Sequence, residues 1–202
     1  MPDKYKKNND HYKLGGIEDE RTKEIITAKV QQARKDCPVG PYVNTPLEDV
    51  DVIVPNDDSD LVKEVKRSDE IAEFIDKNKE KLQAGETVSG SIEFERPENI
   101  FLNYMLNPKE TNDKTGRFTA IHKADIVDAK MNDDGTVTMK IVDYYDFTKN
   151  RVKSDYTKEE LKNNPISIGE NMFNEVNNRA YEQQSLGKLK PYAIYFEFTY
   201  HL

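Results

Sequence analysis

Residues 118–147 read FTAIHKADIVDAKMNDDGTVTMKIVDYYDF, and this stretch decides the fold of the chain. Two strand-like runs, 118–131 and 136–147, flank a polar stretch that ends in Asp134-Gly135. An Asp-Gly step favours the positive backbone angles of a hairpin turn. We therefore predict a long antiparallel hairpin. Its first arm should contain a bulge near residues 124–127, because the apolar side chains change face there.

The second arm of this hairpin carries one aspartate on an otherwise apolar face. In a strand of period two, that face consists of Val137, Met139, Ile141, Asp143, Tyr145 and Phe147. A carboxylate on a buried face is costly unless it is hydrogen-bonded, paired or given a chemical task. Asp143 is therefore either a structural acceptor for tyrosine hydroxyls and backbone amides, or a functional carboxylate.

The remaining apolar segments of the C-terminal half complete an α+β domain. Residues 87–95 alternate as a half-buried strand, and residues 99–106 fit either a helix or a strand. Residues 192–201 form a strand with aromatic side chains on both faces, which is typical of a central position. Thr157 and Ser167 each precede a glutamate by three positions and should begin two helices. We predict an antiparallel sheet of about four strands with helices on one face.

Aromatic residues are unevenly distributed along the 202 residues, of which 36% are hydrophobic and 34% charged. Fifteen of the nineteen aromatic residues follow residue 85. We therefore expect the α+β domain to cover residues 86–202. Residues 59–85 have the pattern of a connector helix that restarts at Ser68. Residues 1–58 should form a flexible segment that contains one amphipathic helix and a proline-rich linker.

The N-terminal segment has three parts. Residues 1–16 are polar, and we expect them to be disordered. Residues 18–35 carry a thin apolar stripe at helical spacing, so this helix should either dock on the domain or bind a partner. Prolines punctuate residues 38–58. Within that linker, residues 49–54 fit an edge strand or the strand of a bound peptide.

Composition argues against several functional classes. The net charge of −8 disfavours nucleic-acid binding that depends on phosphate contacts. No apolar run approaches the roughly 20 residues of a membrane span, and the N-terminus lacks the apolar core of a signal peptide. We therefore expect a cytoplasmic protein, or one exported without a conventional signal peptide.

Cysteine and metal chemistry are equally disfavoured by the sequence. The single cysteine, Cys37, cannot form an internal disulfide, and no basic cluster surrounds it to activate a thiolate. Asp125, Asp128, Asp133 and Asp134 do not have the spacing of a calcium loop. We predict no metal and no cofactor.

The candidate catalytic residues surround the end of the second hairpin arm. Asp143 and Tyr145 share a face, Asp146 and Arg151 follow, and His122 lies on the partner arm. A carboxylate, a phenol, an imidazole and a guanidinium that converge can activate water and stabilise a phosphoryl or acyl oxyanion. Each residue also has a structural interpretation, as a hydrogen-bonded strand residue or a surface ion pair.

Three short stretches carry a resemblance to a known class of proteins. They are VDYYDF at 142–147, NNRAYEQQ at 177–184 and GKLKPY at 187–192. Together they resemble the C-terminal toxin domains of bacterial polymorphic toxins, over residues 118–202. Those domains carry a D-x-Y-D-F strand end, a helix with asparagines and glutamines on one face, and a last strand after a Gly-x-Leu turn.

The D-x-Y-D stretch is also similar to the catalytic motif of colicin-M-type bacteriocins. These resemble phosphodiesterases that act on the undecaprenyl-linked precursor of the cell wall. In that motif a His-Arg pair follows, whereas here Asn150 precedes Arg151 and the spacing is shorter. The motif positions that match in this chain are Asp143, Tyr145, Asp146 and Arg151.

The resemblance implies a bacterial toxin or effector domain, namely a hydrolase of a phosphate ester or of a cell-wall precursor. Residues 17–58 would then contact an immunity, chaperone or delivery protein. The alternative is a non-catalytic cytoplasmic adaptor whose N-terminal helix binds a protein partner. A third possibility is a ligand-binding module that uses the aromatic sheet as its platform.

Overall fold

A computed structural model describes residues 9–94, 121, 123–166 and 168–202. His122, the segment 99–106 and the helix start at Ser167 lie outside these residues. The chain divides into two compact units. The sheet unit comprises Met1–Lys29, Leu47–Tyr145 and Tyr192–Leu202, and the second unit comprises Val30–Pro46 and Asp146–Pro191.

The sheet unit is built on a six-stranded mixed sheet. Its strands are β1 (Asn9–Lys13), β2 (Asp51–Pro55), β3 (Val88–Glu93), β4 (Lys123–Met131), β5 (Val137–Tyr145) and β6 (Tyr192–Tyr200), in the spatial order β1-β2-β6-β5-β4-β3. β2 runs parallel to β6, and the other neighbours are antiparallel. The predicted α+β class is confirmed. The predicted antiparallel sheet of about four strands is wrong in number and direction, because the N-terminal segment adds β1 and β2.

The predicted hairpin is confirmed as β4 and β5. Gly135 takes the left-handed backbone angle φ of 81° that the turn requires. The Asp134 carboxylate accepts the backbone N–H of Thr136 at 3.0 Å and so fixes the turn. The register between the two strands shifts between Ile126 and Asp128, which confirms the predicted bulge. The bulge explains why the apolar residues of the first arm change face.

The last strand lies inside the sheet, as its aromatic faces indicate. β6 pairs along its whole length with β5, from Val137 opposite Tyr200 to Tyr145 opposite Tyr192. On its other side it pairs with β2. Both sides of its backbone are therefore hydrogen-bonded, and its Phe196 is 1% exposed.

The N-terminal segment belongs to the sheet over its described residues. The predicted disorder is wrong for residues 9–16, since β1 pairs with β2 and Leu14 is buried. The Leu14 backbone N–H also donates to the Val50 carbonyl at 2.9 Å. β2 has a neighbour on each side, so residues 49–54 form neither an edge strand nor the strand of a bound peptide.

Three short helices cover one face of the sheet. They are α2 (Asp60–Lys66), α3 (Asp69–Lys77) and α4 (Lys79–Gln83). The predicted restart at Ser68 is confirmed, because its hydroxyl accepts the backbone N–H of Ile71 at 3.4 Å. Gly85 ends the run with φ of 79°. The core that the helices share with the sheet includes Leu61, Ile71, Phe74, Ile126, Met139, Ile141, Phe196 and Phe198.

The opposite face of the sheet receives the first half of α1 (Glu20–Asp36). Ion pairs join Arg21 to Asp128 at 2.9 Å and Lys29 to Asp125 at 3.0 Å. Asp19, just before the helix, is paired with Lys140. These sheet residues alternate with core residues along β4 and β5, so they point away from α2–α4. The expectation of helices on one face only is therefore wrong.

The second unit contains two further helices, α5 (Lys158–Asn163) and α6 (Ile168–Ser185). Thr157 begins α5 with the predicted capping box, because it exchanges hydrogen bonds with Glu160. The Tyr42 hydroxyl donates to the Gly187 carbonyl at 2.8 Å and ties residues 41–44 to the end of α6. Within the described residues, no helix is both long and apolar enough to cross a membrane.

The contact between Gly90 and α3 leads to a prediction about stability. A Cβ atom at position 90 would lie 2.9 Å from Cε2 of Phe74. We expect Gly90→Ala to lower the free energy of unfolding by about 1–3 kcal/mol, because the added methyl group has no room beside the Phe74 ring and would overpack the core. Urea denaturation measures this loss. The exposed Ser89→Ala should change stability by less than about 0.5 kcal/mol, and Phe74→Leu should recover part of the loss in the Gly90→Ala background. Equal effects of Gly90→Ala and Ser89→Ala would contradict the packing argument.

The Asp19–Lys140 pair predicts a pH-dependent stability. The lysine and the backbone N–H of Thr22 lower the pKa of Asp19 from 3.8 to about 2. Because the folded pKa is depressed, the stabilisation is complete above pH 3.8 and is lost as the pH falls through about 2. We expect Asp19→Asn to abolish about 2 kcal/mol of pH-dependent stability in this window.

Denaturation curves between pH 5 and 2 measure the effect of Asp19→Asn. The control is Glu20→Gln, whose side chain is 77% exposed. Parallel pH profiles for the wild type and Asp19→Asn would show that the pair contributes nothing.

Candidate functional site

The predicted site begins where β5 ends. Asp143 and Tyr145 lie on β5, and their partners across the sheet are Ile194 and Tyr192. Asp143 is only 7% exposed, in a strand whose other buried side chains are apolar. The structure therefore confirms that this aspartate is buried.

A lysine from α1 supplies the counter-charge to Asp143. Lys29 Nζ lies 3.7 Å from Asp143 Oδ1 and 3.0 Å from Asp125 Oδ2. The backbone N–H of Tyr144 also donates to Asp143 Oδ1, at 2.8 Å. Asp125 stands opposite Val142 in the hairpin, which brings the two carboxylates to one ammonium group. Lys29 therefore bridges two carboxylates of the hairpin.

Two tyrosines complete the group. The rings of Tyr145 and Tyr192 are stacked, with centroids 5.3 Å apart and planes at 22°. Burial raises the pKa of both phenols, and the charge of Asp143 raises the pKa further. Both hydroxyls therefore keep their protons at neutral pH and are able to donate a hydrogen bond. We call Lys29, Asp125, Asp143, Tyr145 and Tyr192 the Asp143 cluster.

The Asp143 cluster combines one cation, two carboxylates and two phenols. A carboxylate can accept a proton from water, while an ammonium and phenol hydroxyls stabilise charge that develops on an oxygen. No three metal-binding side chains come together within the described part of the chain. The carboxylates, the ammonium and the phenols of the cluster offer acid–base and electrostatic chemistry.

Asp146 belongs to the second unit, in a different setting from Asp143. Burial raises the pKa of Asp146, and the nearby charge of Asp36 raises it further. Burial also raises the pKa of Cys37, followed in size by the charge of Asp146. The Cys37 thiol lies 3.9 Å from the Phe147 carbonyl, to which it donates. Cys37 is thus a protonated thiol that packs, in an environment unlike that of a nucleophilic cysteine.

Arg151 makes structural contacts within the second unit. Its guanidinium donates to the Asp155 carbonyl at 2.8 Å and to the Glu160 carboxylate at 3.1 Å. It also stacks over the Tyr156 ring, 3.9 Å from the centroid. The pKa of Glu160 is lowered first by the backbone N–H and hydroxyl of Thr157, and then by Arg151. Arg151 therefore fixes the turn that leads into α5.

The asparagine-rich face of α6 binds an extended segment of backbone. Five side chains take part: Asn171, Asn174, Asn177, Asn178 and Gln184. Gln184 accepts the Phe147 N–H at 3.0 Å and donates to its carbonyl at 3.2 Å. Asn178 repeats this two-way contact with Asn150, at 2.8 Å in each direction. We call this row of contacts the amide ladder.

The amide ladder forms because the extended segment and the part of α6 that faces it have the same length. Residues 147–153 are contacted from the Gln184 end of α6 towards Asn171, so the segment runs antiparallel to the helix. Six extended residues span about 20 Å at roughly 3.3 Å each. Thirteen helical residues span about 20 Å at roughly 1.5 Å each. The asparagine and glutamine positions of the resemblance therefore have a structural explanation.

The comparisons with known proteins give no family assignment. No family model matches the chain, and neither the curated proteins nor the solved structures contain a significant match.

The structure brings together only part of the predicted site. Asp143 and Tyr145 are neighbours in the sheet unit, whereas Asp146 and Arg151 belong to the second unit. His122 lies outside the described residues. The catalytic roles predicted for these five residues remain predictions.

Sequence analysis missed two members of the Asp143 cluster, Lys29 and Tyr192. Lys29 had a signal, since it follows Ile26 by three positions and so interrupts the apolar stripe of α1. A lysine on a buried stripe points to a buried carboxylate partner. No pattern in the sequence points to Tyr192, because its place opposite Tyr145 depends on the register of β5 with β6.

The amide ladder predicts a local opening when one of its rungs is removed. Asn178→Leu keeps the size of the side chain and loses both hydrogen bonds to Asn150. We expect faster hydrogen exchange at the Asn150 amide, by about ten- to a hundredfold, because each lost bond removes about 1 kcal/mol. The exposed Arg179→Leu is the control. Unchanged exchange at Asn150 in Asn178→Leu would contradict the ladder.

Proposed function

We propose that this chain is a toxin-like effector domain of bacterial type that hydrolyses a phosphate ester, with the Asp143 cluster as its active site. One observation carries the proposal: a buried carboxylate lies beside a lysine, and the stacked phenols of Tyr145 and Tyr192 are close enough for its charge to raise their pKa. Burying these charged and polar groups destabilises a sheet that apolar side chains could fill. Clusters with shifted pKa values are typical of functional sites.

Each residue of the cluster has a role in this proposal. Asp143 accepts a proton from the attacking water as the water oxygen bonds to phosphorus; the ester P–O bond breaks, and the leaving alcohol takes the proton back from Asp143. Lys29 pairs with Asp143 and offers a positive charge to a phosphoryl oxygen. The hydroxyl of Tyr145 keeps its proton and donates to the same group. Arg151, which the resemblance suggests as a catalytic residue, contacts Asp155 and Glu160 at the turn into α5.

A second candidate function is a non-catalytic interaction protein. It is supported because Arg151 and the asparagine face of α6, which belong to the toxin resemblance, make contacts within the chain. These residues therefore have a structural role that requires no catalysis. The apolar side chains Ile26 and Val30 of α1 are 0% exposed, so a protein partner of residues 17–58 would contact other side chains of that segment. An interaction protein needs no ionised carboxylate at Asp143.

The effect of the chain on bacterial growth distinguishes the hydrolase from the non-catalytic interaction protein. We expect the chain to slow bacterial growth when it is produced in the cytoplasm or directed to the periplasm. Asp143→Asn keeps the shape and removes the general base, which should lower the rate of ester hydrolysis by about 10²–10⁴-fold and relieve the toxicity. Growth curves and release of nitrophenol from bis(p-nitrophenyl) phosphate measure the two effects.

The control for this experiment is Asp133→Asn in the exposed hairpin turn. It makes the same change of charge and should leave growth inhibition and hydrolysis unchanged. If Asp143→Asn is folded and still inhibits growth, the chain acts by binding and the second candidate is favoured. A wild-type chain that is harmless in both compartments and hydrolyses nothing would rule out the toxin proposal.

A further inference from the structure

The hydroxyl of Tyr192 is a buried hydrogen-bond donor at the end of β6. Its oxygen is inaccessible to solvent and has no hydrogen-bond partner in the part of the chain that the structure describes. The ring itself is well held, since it stacks on Tyr145 and packs against the main core. An unsatisfied buried hydroxyl destabilises the folded state.

Packing alone does not account for a hydroxyl at this position. A phenylalanine would keep both the stacking and the core contacts, and it would remove the unsatisfied group. Phe196 and Phe198 in the same strand show that the core accepts phenylalanine. The Tyr192 hydroxyl is therefore a donor without an acceptor among the described residues.

The acceptor should bind at the Asp143 cluster. Side-chain exposure falls from 34% at Asp125 through 21% at Lys29 to 10% at Asp143. The Tyr192 ring joins the cluster by stacking on Tyr145, which shares a face of β5 with Asp143. We therefore place the acceptor beside Asp143 and Lys29.

We propose that the Tyr192 hydroxyl donates a hydrogen bond to an oxygen atom of the ligand held by the Asp143 cluster. The nature of that ligand, a phosphate ester, rests on the proposed function. Asp143 already accepts the Tyr144 N–H and is paired with Lys29. The Tyr192 hydroxyl is therefore available to the ligand. Because the phenol pKa is raised by burial, Tyr145 and Asp143, the proton stays on the oxygen at neutral pH.

The first test compares Tyr192→Phe with Tyr200→Phe. Tyr200 lies on the same strand and also packs against the core, but it stands at the other end, eight residues or about 26 Å away. We expect Tyr192→Phe to melt at the same temperature as the wild type or higher. A melting temperature lower than that of Tyr200→Phe would show that the hydroxyl has a structural partner, and would overturn the inference.

The second test measures binding of dimethyl phosphate, a small monoanionic ester, by titration calorimetry on the full chain. We expect Tyr192→Phe to bind it about tenfold or more weakly than the wild type, and Tyr200→Phe to bind it as the wild type does. Equal binding by wild type and Tyr192→Phe, or no binding by the wild type, would overturn the inference.

Hydrolysis then separates this inference from the proposed function. A wild type that binds dimethyl phosphate through Tyr192, but neither cleaves bis(p-nitrophenyl) phosphate nor slows bacterial growth, would support the binding role and reject the hydrolase.

Discussion

The pairing of β5 with β6 is the interaction on which the rest of the structure depends. It extends over nine residue pairs and places β6 between two neighbours. At one end it sets Tyr145 opposite Tyr192, where the chain leaves the sheet and returns to it. Residues 146–191 are thus an insertion whose two ends are held side by side by the sheet. The same register stacks the two phenols and positions the Asp143 cluster.

The parts of the fold that follow local rules could be predicted from the sequence. The hairpin turn at Gly135, the bulge after Ile126 and the cap at Ser68 each depend on a few neighbouring residues. The N-terminal strands could not be predicted in the same way. β1 and β2 are short, and β2 is stabilised by a parallel partner about 140 residues away, which no local pattern reveals.

The candidate site likewise contains features that local rules predict and features that depend on distant parts of the chain. The burial of Asp143 follows from strand alternation, which is a local rule. Its partner Lys29 comes from α1, and that contact depends on how the helix lies across the sheet. The DYYDF stretch spans the boundary between the two units, since Asp143 and Tyr145 belong to one and Asp146 to the other.

Polar side chains occur in two different settings in the described residues. In the amide ladder, each asparagine that binds the extended segment meets a backbone donor or acceptor, so the polar groups hold the fold together. The Asp143 cluster differs, because the hydroxyl of Tyr192 is buried without such a partner in the described residues. The described residues thus contain two kinds of polar group: amides of α6 that are satisfied by the backbone they bind, and a phenol hydroxyl in the sheet unit that has no described acceptor. The first kind explains why the asparagines of α6 are needed for the local fold, whereas packing does not explain the second.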